Sequence, residues 1–162
     1  HGGHQEAGRR AGTENVIGMA AFGKACEVVG EEMEEENRMI GFLSNKLLNG
    51  IMENIEQVKL NGHPLHRLPN TLNLSFEYVE AESLLIALDL EGIAVSSGSA
   101  CSSGSTEPSH VLLAMGIPPQ MCQSAIRISL GKGNTEDDVE YTLSVIPGVV
   151  ARLRQLSPFY KR

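Results

Sequence analysis

The sequence predicts an α/β domain in which a small mixed β-sheet is covered by helices. Stretches with apolar residues at helical spacing follow one another along the chain with short stretches in which apolar and polar residues alternate. With 41% hydrophobic residues among 162, the chain can bury a sizeable core. These observations indicate one layered α/β structure.

Two helices are predicted in the first third of the chain, after a loop over residues 1–13 that is rich in glycine and charge. The first is expected to begin near residues 13–15, with Thr13 as its candidate N-cap, and Gly30 is a candidate break after it. The second carries apolar residues at helical intervals from Met33 to Ile55. The acidic run at 31–36 suits the solvated first turns of that helix.

Four short strands and three further helices are predicted for the rest of the chain. The strands are expected at 58–61, 71–76, 93–95 and 126–130. The helices are expected at 82–90, at 109–115 and from Thr135 to about 156, the first two closed by Gly92 and Gly116. Thr135 and Asp138 form a capping-box-like start for the last helix, and Pro147 is expected to kink it.

Composition and charge exclude several classes of function. The net charge of −7 argues against a nucleic-acid surface. No apolar run approaches the roughly 20 residues that a membrane span needs, and the opening segment is not a signal peptide. Three cysteines are too few for a disulfide framework, so the reducing cytoplasm is the expected compartment. Because the chain begins on His1, we expect it to be the back part of a longer one.

The stretch SSGSACSSGS, residues 96–105, surrounds Cys101 with serine and glycine. Such residues cannot bury a thiol, and connections of this kind carry function more often than element interiors do. Five residues of extended chain let the thiol of Cys101 move up to roughly 17 Å from Ser96. The pattern therefore predicts a travelling, reactive thiol, whereas Cys26 and Cys122 are expected in the core.

Two other roles for Cys101 are considered. A metal site could draw on cysteine and histidine ligands, although zinc sites usually show tighter ligand pairing than this sequence has. The candidate ligands are His1, His4, His63, His66, Cys101 and His110. A cysteine-protease role would pair Cys101 with His110, but the loop offers no rigid placement for a nucleophile. Both roles are less favoured, and we predict no metal site.

Several segments together resemble one family. In order, they are HGGHQEAGRRAGTENVIG, LPNTLNLSF, SSGSACSSGSTEPSHVLLAMG and AIRISLG. They are similar to the C-terminal part of the cysteine desulfurases, which are class V aminotransferase-like pyridoxal-phosphate enzymes that supply sulfur for iron–sulfur cluster assembly. The resemblance covers nearly the whole chain, and the long serine-rich loop is similar to the subgroup with a mobile catalytic loop. It implies the small C-terminal domain of fold-type I pyridoxal-phosphate enzymes.

The resemblance implies roles for three residues. Cys101 matches the nucleophile that takes sulfur from L-cysteine as a persulfide and leaves L-alanine. Arg127, which points away from the face of Ile126 and Ile128, matches the arginine that binds the substrate carboxylate. Thr13 matches the residue that contacts the cofactor phosphate of the partner subunit, which implies a homodimer. From the residues alone, Arg127 could equally form a surface ion pair and Thr13 a helix cap.

The family's cofactor-binding lysine should lie upstream of His1, so we predict that the chain alone is inactive. Residues 1–20 are expected to belong to the active-site and dimer-interface segment of a large domain. Residues 21–162 are expected to form the small domain, with a catalytic loop at 96–108. The alternative is a stand-alone persulfide carrier or partner-binding domain. An iron–sulfur scaffold or another sulfur acceptor is the expected partner. The basic C-terminus could suit an acidic partner, or it could equally be a solvated helix end. That basic group comprises Arg152, Arg154, Lys161 and Arg162.

Overall fold

The computed structural model describes residues 2–97 and 108–160 and contains two compact units, His1–Glu36 and Asn37–Arg162. The elements are α1 (Val16–Asn54), β1 (Val58–Leu60), β2 (Thr71–Phe76), α2 (Ala81–Asp89), β3 (Ser96–Ser97), α3 (His110–Ala114), α4 (Pro119–Gln123), β4 (Ala125–Ser129) and α5 (Glu136–Leu156). A short helical turn, Gln5–Gly8, precedes them. The predicted α/β fold class is confirmed.

The four described strands form one sheet in the order β1-β2-β4-β3. All three pairings are antiparallel. The described sheet therefore differs from the mixed sheet that we expected. Its register places Leu74 opposite both Leu60 and Ile126. Because opposed residues in a sheet share a face, the large apolar residues of β1, β2 and β4 point to one side, and Ala125 of β4 lies on the other side opposite Ser75.

The main core of the second unit lies on that apolar side. Its buried residues come from α1, α2, α5 and the strands, and include Leu43, Leu47, Ile51, Leu72, Leu74, Phe76, Leu84, Leu88, Ile126, Val139, Ile146 and Val150. Full burial of each such side chain stabilises the fold by about 1.5–3 kcal/mol. A smaller cluster joins α3 and α4 to the sheet through Leu112, Ile117, Cys122 and Ala125. Cys122 is buried as predicted.

The first unit has no such core, because none of the described residues 2–36 is buried. Helix α1 begins at Val16, and the side-chain oxygen of Asn15 accepts a hydrogen bond from Gly18 N at 3.0 Å. Asn15 therefore caps the helix, and the prediction of Thr13 as N-cap is wrong. The core prediction for Cys26 is also wrong, since its side chain is exposed on this helix.

Helix α1 runs through Gly30 without the break that we expected. One glycine costs a helix interior only about 1 kcal/mol, which a helix of 39 residues can absorb. Although α1 is this long, neither it nor any other helix in the described part is apolar enough to cross a membrane.

Three local details of the second unit differ from or extend the prediction. The third strand lies at Ser96–Ser97, not at 93–95, because its pairing with β4 begins opposite Arg127. Helix α4 was not predicted; Pro119 stands in its first turn, where a missing N–H costs nothing. Helix α5 has the predicted capping box between Thr135 and Asp138, and it continues through Pro147.

Candidate functional site

The face of the sheet opposite the main core is polar. The strand register puts seven residues with polar side chains on it: Lys59, Thr71, Asn73, Ser75, Ser96, Arg127 and Ser129. Arg127 lies on β4, directly between Asn73 of β2 and Ser96 of β3. This row, Asn73–Arg127–Ser96, is the centre of the candidate site.

Arg127 is exposed, as its place in the predicted alternation indicated. Within residues 2–97 and 108–160, its guanidinium has no hydrogen-bond or ion-pair partner, so the surface ion pair that we considered is not found there. A guanidinium is always charged and offers a planar fork of donors that matches a carboxylate. The row therefore presents a charged guanidinium that is available to bind an anionic group.

A hydrogen-bond network lies beside Arg127. Asn61 Nδ2 donates to Asn73 Oδ1 at 2.7 Å and to Ser75 Oγ at 2.8 Å. Ser75 Oγ in turn donates to the carbonyl oxygen of Met121 at 2.8 Å. Asn61 is 8% exposed, and its Oδ1 is a buried atom with no hydrogen-bond partner among the described residues. Sequence reasoning missed this network, although Asn73 and Ser75 alternate with the apolar residues of their strand.

Cys101 and most of its loop lie outside the described residues. The loop of 96–108 is described only at Ser96, Ser97 and Pro108, and the first two form β3. The register pairs Ser96 with Arg127, so the described start of this loop lies in the Asn73–Arg127–Ser96 row.

Thr13 belongs to the first unit and is exposed. Its carbonyl oxygen accepts a hydrogen bond from Arg10 Nη2 at 3.0 Å, and Arg10 also pairs with Glu14 at 3.1 Å. The hydroxyl of Thr13 has no partner in the described part of the chain. That hydroxyl is a free donor of the kind that can bind a phosphate oxygen.

A metal centre finds no support among the described residues, which hold no group of three or more histidine, cysteine or acidic side chains suited to one. His63 and His66 stack with ring centroids 4.5 Å apart. His63 Nδ1 accepts hydrogen bonds from the backbone N–H groups of Leu65 and His66, at 3.0 and 2.9 Å. This nitrogen therefore orders a turn.

A lysine that carries an aldehyde cofactor reacts as a neutral amine. Hydrogen bonds to Glu136 and Glu140 raise the pKa of Lys46 and keep it protonated. Lys46 therefore does not suit that role, whereas the side chains of Arg127 and Thr13 suit the binding of a carboxylate and of a phosphate oxygen.

The described residues form an α/β domain that presents Arg127, without a partner among them, on the polar face of an antiparallel sheet, and a guanidinium in this state suits a carboxylate ligand. The model of the aminotransferase class-V family matches residues 3–142. The chain belongs to this family.

Curated relatives and solved structures are similar to nearly the whole chain. The cysteine desulfurase IscS of Methanosarcina thermophila is 50% identical over 98% of this chain and 39% of the relative. The cysteine desulfurase of Gluconacetobacter diazotrophicus is 48% identical over 98% of this chain and 40% of the relative. The chain thus spans about two fifths of the length of these relatives.

Two NifS-like structures share the fold. A NifS-like protein superposes with a TM-score of 0.79 and 37% identity over 94% of this chain and 38% of the other. The NifS-like protein of Rickettsia africae gives a TM-score of 0.80 and 33% identity, over 93% of this chain and 39% of the other.

Proposed function

We propose that this chain is the C-terminal portion of a cysteine desulfurase, which converts L-cysteine and the Cys101 thiol to L-alanine and a Cys101 persulfide. The observation that carries the proposal is Arg127 on the polar sheet face, without a partner in residues 2–97 and 108–160, in a chain similar to cysteine desulfurases over almost its full length. The persulfide sulfur would pass to an iron–sulfur scaffold or another acceptor protein, in the cytoplasm, where thiols stay reduced.

Arg127 would bind the α-carboxylate of L-cysteine. Its guanidinium can donate two parallel hydrogen bonds to the two carboxylate oxygens, which fixes the orientation of the amino acid as well as its position. Because no described side chain competes for the guanidinium, no existing ion pair has to break when the substrate arrives.

Cys101 would accept the sulfur. Its thiolate attacks the substrate sulfur, a new S–S bond forms, and the C–S bond of the substrate breaks. The electron pair of that bond goes to the substrate carbon, which takes up a proton and leaves within L-alanine. The tether of a few residues from β3 limits the search of the thiol to the neighbourhood of the Arg127 row.

Pyridoxal phosphate, when bound, supplies the electron sink that the breaking C–S bond requires. Thr13 would contribute its free hydroxyl to the phosphate of the cofactor in the partner subunit of a homodimer. The cofactor-binding lysine is proposed to lie outside this chain, which covers 39% of its relative from Methanosarcina thermophila. On this proposal the chain alone is inactive.

We propose residues 1–20 as the active-site and dimer-interface segment and 21–162 as the small domain. The exposure of Ile17, which is 85% accessible on α1, supports an interface role for residues 1–20. Apolar side chains this exposed are typical of surfaces that another chain or domain covers.

The proposal can be tested with a chimera. In it, this chain replaces the matching 39% of the Methanosarcina thermophila enzyme. We expect it to release L-alanine from L-cysteine with pyridoxal phosphate and to carry a persulfide. Cys101→Ser should abolish the persulfide and leave the absorbance of the bound cofactor unchanged. Cys26→Ser, which alters an exposed thiol on α1, is the matched control and should keep full activity.

The alternative is a persulfide carrier that works without the cofactor. The chain by itself, offered a low-molecular-weight persulfide, would then become labelled at Cys101 and pass the sulfur to an acceptor thiol. A chimera that makes no L-alanine, together with such labelling, would favour the carrier over the desulfurase.

A further inference from the structure

We propose that Asn73 is a second donor to the substrate carboxylate, and that Asn61 and Ser75 hold its amide in the donating orientation. This inference rests on the proposed function and adds a binding residue to it. Asn73 is half-buried, faces the same side of the sheet as Arg127 and lies directly opposite it in the register. Such opposed residues have Cβ atoms about 4.5–5.5 Å apart, a separation that one carboxylate can bridge.

The orientation of the Asn73 amide follows from counting hydrogen atoms along the network. The carbonyl oxygen of Met121 can only accept, so the single hydrogen of Ser75 Oγ is donated to it. Ser75 Oγ must therefore accept from Asn61, which places the Nδ2 of Asn61 at this contact.

The same Nδ2 of Asn61 is 2.7 Å from Asn73, and it can only donate. The atom of Asn73 that receives this bond is consequently its oxygen, Oδ1. The Nδ2 of Asn73 is the atom left over, and it has no hydrogen-bond partner among the residues that the structure describes. A free N–H donor thus stands in the Arg127 row.

The network is maintained at a cost. The Oδ1 of Asn61 is buried and has no hydrogen-bond partner in the part of the chain that the structure describes, an arrangement that destabilises a folded protein. A sheet that needed only stability would gain from an apolar residue at this position. The cost is accounted for if the network serves to present the Asn73 donor.

A neutral amide suits this place for a chemical reason. It adds a hydrogen bond to a carboxylate without a charge that would compete for the guanidinium of Arg127. An aspartate at position 73 would keep the bond from Asn61 through one oxygen, but its other oxygen would repel the substrate carboxylate and pair with Arg127.

The test uses the chimera described above with Asn73→Asp and Asn73→Ala. Because a hydrogen bond to a charged group is worth 1.5–3 kcal/mol, we expect both variants to raise the KM for L-cysteine about tenfold or more, with kcat within about twofold. Cysteamine, which is L-cysteine without the carboxylate, should inhibit the variants as well as it inhibits the parent. Ser75→Ala, which frees Asn61 to turn, should raise the KM by a smaller factor.

Two controls separate the possible failures. Ser129→Ala alters an exposed residue on the same strand and face and should change neither KM nor cysteamine inhibition. Arg127→Ala should raise the KM. If Arg127→Ala raises it and both Asn73 variants leave it unchanged, the role of Asn73 is wrong and the proposed function stands. If the Asn73 variants weaken L-cysteine and cysteamine equally, Asn73 is structural. If the parent chimera makes no L-alanine or Arg127→Ala has no effect, the proposed function fails and this inference with it.

Discussion

Arg154 Nε donates a hydrogen bond to the carbonyl oxygen of Glu77 at 3.0 Å. Its Nη2 donates to the carbonyl oxygens of Glu56 and Gln57, at 2.7 and 3.2 Å. The guanidinium is buried, and it joins the end of α5 to two turns in which Gln57 and Tyr78 have left-handed φ values of 56° and 65°. The expectation that Arg154 adds to a basic surface is therefore wrong.

Arg154→Ala should lower the free energy of unfolding by about 3 kcal/mol or more, because three carbonyl oxygens lose a charged donor. The measurement is the urea midpoint at constant m value. Arg152→Ala, on the exposed side of the same helix, is the matched control and should leave the midpoint in place. Equal effects of the two substitutions would contradict the structural role of Arg154.

The capping box of α5 should make stability depend on acid pH. A hydrogen bond from the backbone N–H of Thr135, 2.8 Å from Asp138 Oδ2, lowers the pKa of Asp138 below its ordinary value. Since the folded pKa is the lower one, this contribution is present above the unfolded pKa near 3.8 and is lost as pH falls through the folded pKa. Asp138→Asn should therefore reduce the acid dependence of the urea midpoint between about pH 5 and 2.

Asp137→Asn, one residue earlier and outside the capping box, is the control for this titration. Thr135→Ala should cost about 1 kcal/mol at neutral pH through the lost cap. An unchanged acid dependence in Asp138→Asn would show that other carboxyl groups dominate it.

The hydrogen bonds of Lys46 should make the stability of the fold decrease at alkaline pH, the opposite of the Asp138 effect. Its ammonium contacts Glu136 and Glu140 at 2.5 and 2.6 Å, and these hydrogen bonds raise its pKa above 10.5. The folded pKa is the higher one here, so the contribution is present below the unfolded pKa and is lost as pH rises through the folded value. Urea denaturation at pH values from about 9 to 12 should show a smaller loss of unfolding free energy with rising pH in Lys46→Met than in the parent. Lys59→Met, on the exposed edge strand, should follow the parent.

Gly92 should be more sensitive to substitution than its open surroundings indicate. Its φ is +76° and no atom would lie within 4 Å of an added Cβ, so only the backbone conformation opposes a side chain. Gly92→Ala should cost about 1–2 kcal/mol. Gly131→Ala, where space is equally open and the backbone is not left-handed, should be close to neutral by thermal unfolding. A similar loss at both positions would point to a cause other than φ.

The sequence was informative wherever one segment carries its own pattern. The alternation of Leu72, Leu74 and Phe76 predicted β2, and that of Ile126 and Ile128 predicted both β4 and the exposure of Arg127. The capping box of α5 was equally legible, because all its groups lie within four residues.

Features that depend on distant partners could not be predicted. The burial of Arg154 depends on carbonyl groups 77 to 98 residues away, and β3 exists only through its register with β4. The bond between Asn61 and Ser75 joins residues 14 positions apart across two strands. No local composition encodes such pairings, and composition alone misassigned Cys26 to a core that its part of α1 does not have.

The two halves of helix α1 differ in burial, and they should therefore differ in how readily they open locally. Residues 16–36 have no buried side chain, whereas Ile40, Leu43, Leu47 and Ile51 are buried. A helix of about 20 residues without tertiary packing is marginal in water, so amide protons in the first stretch should exchange with solvent far faster than those at 40–51. Any partner surface that covers Ile17 and Phe22 would slow this exchange by mass action, in proportion to its concentration and affinity. The measured protection of the first stretch would then report on the complex and not on the chain alone.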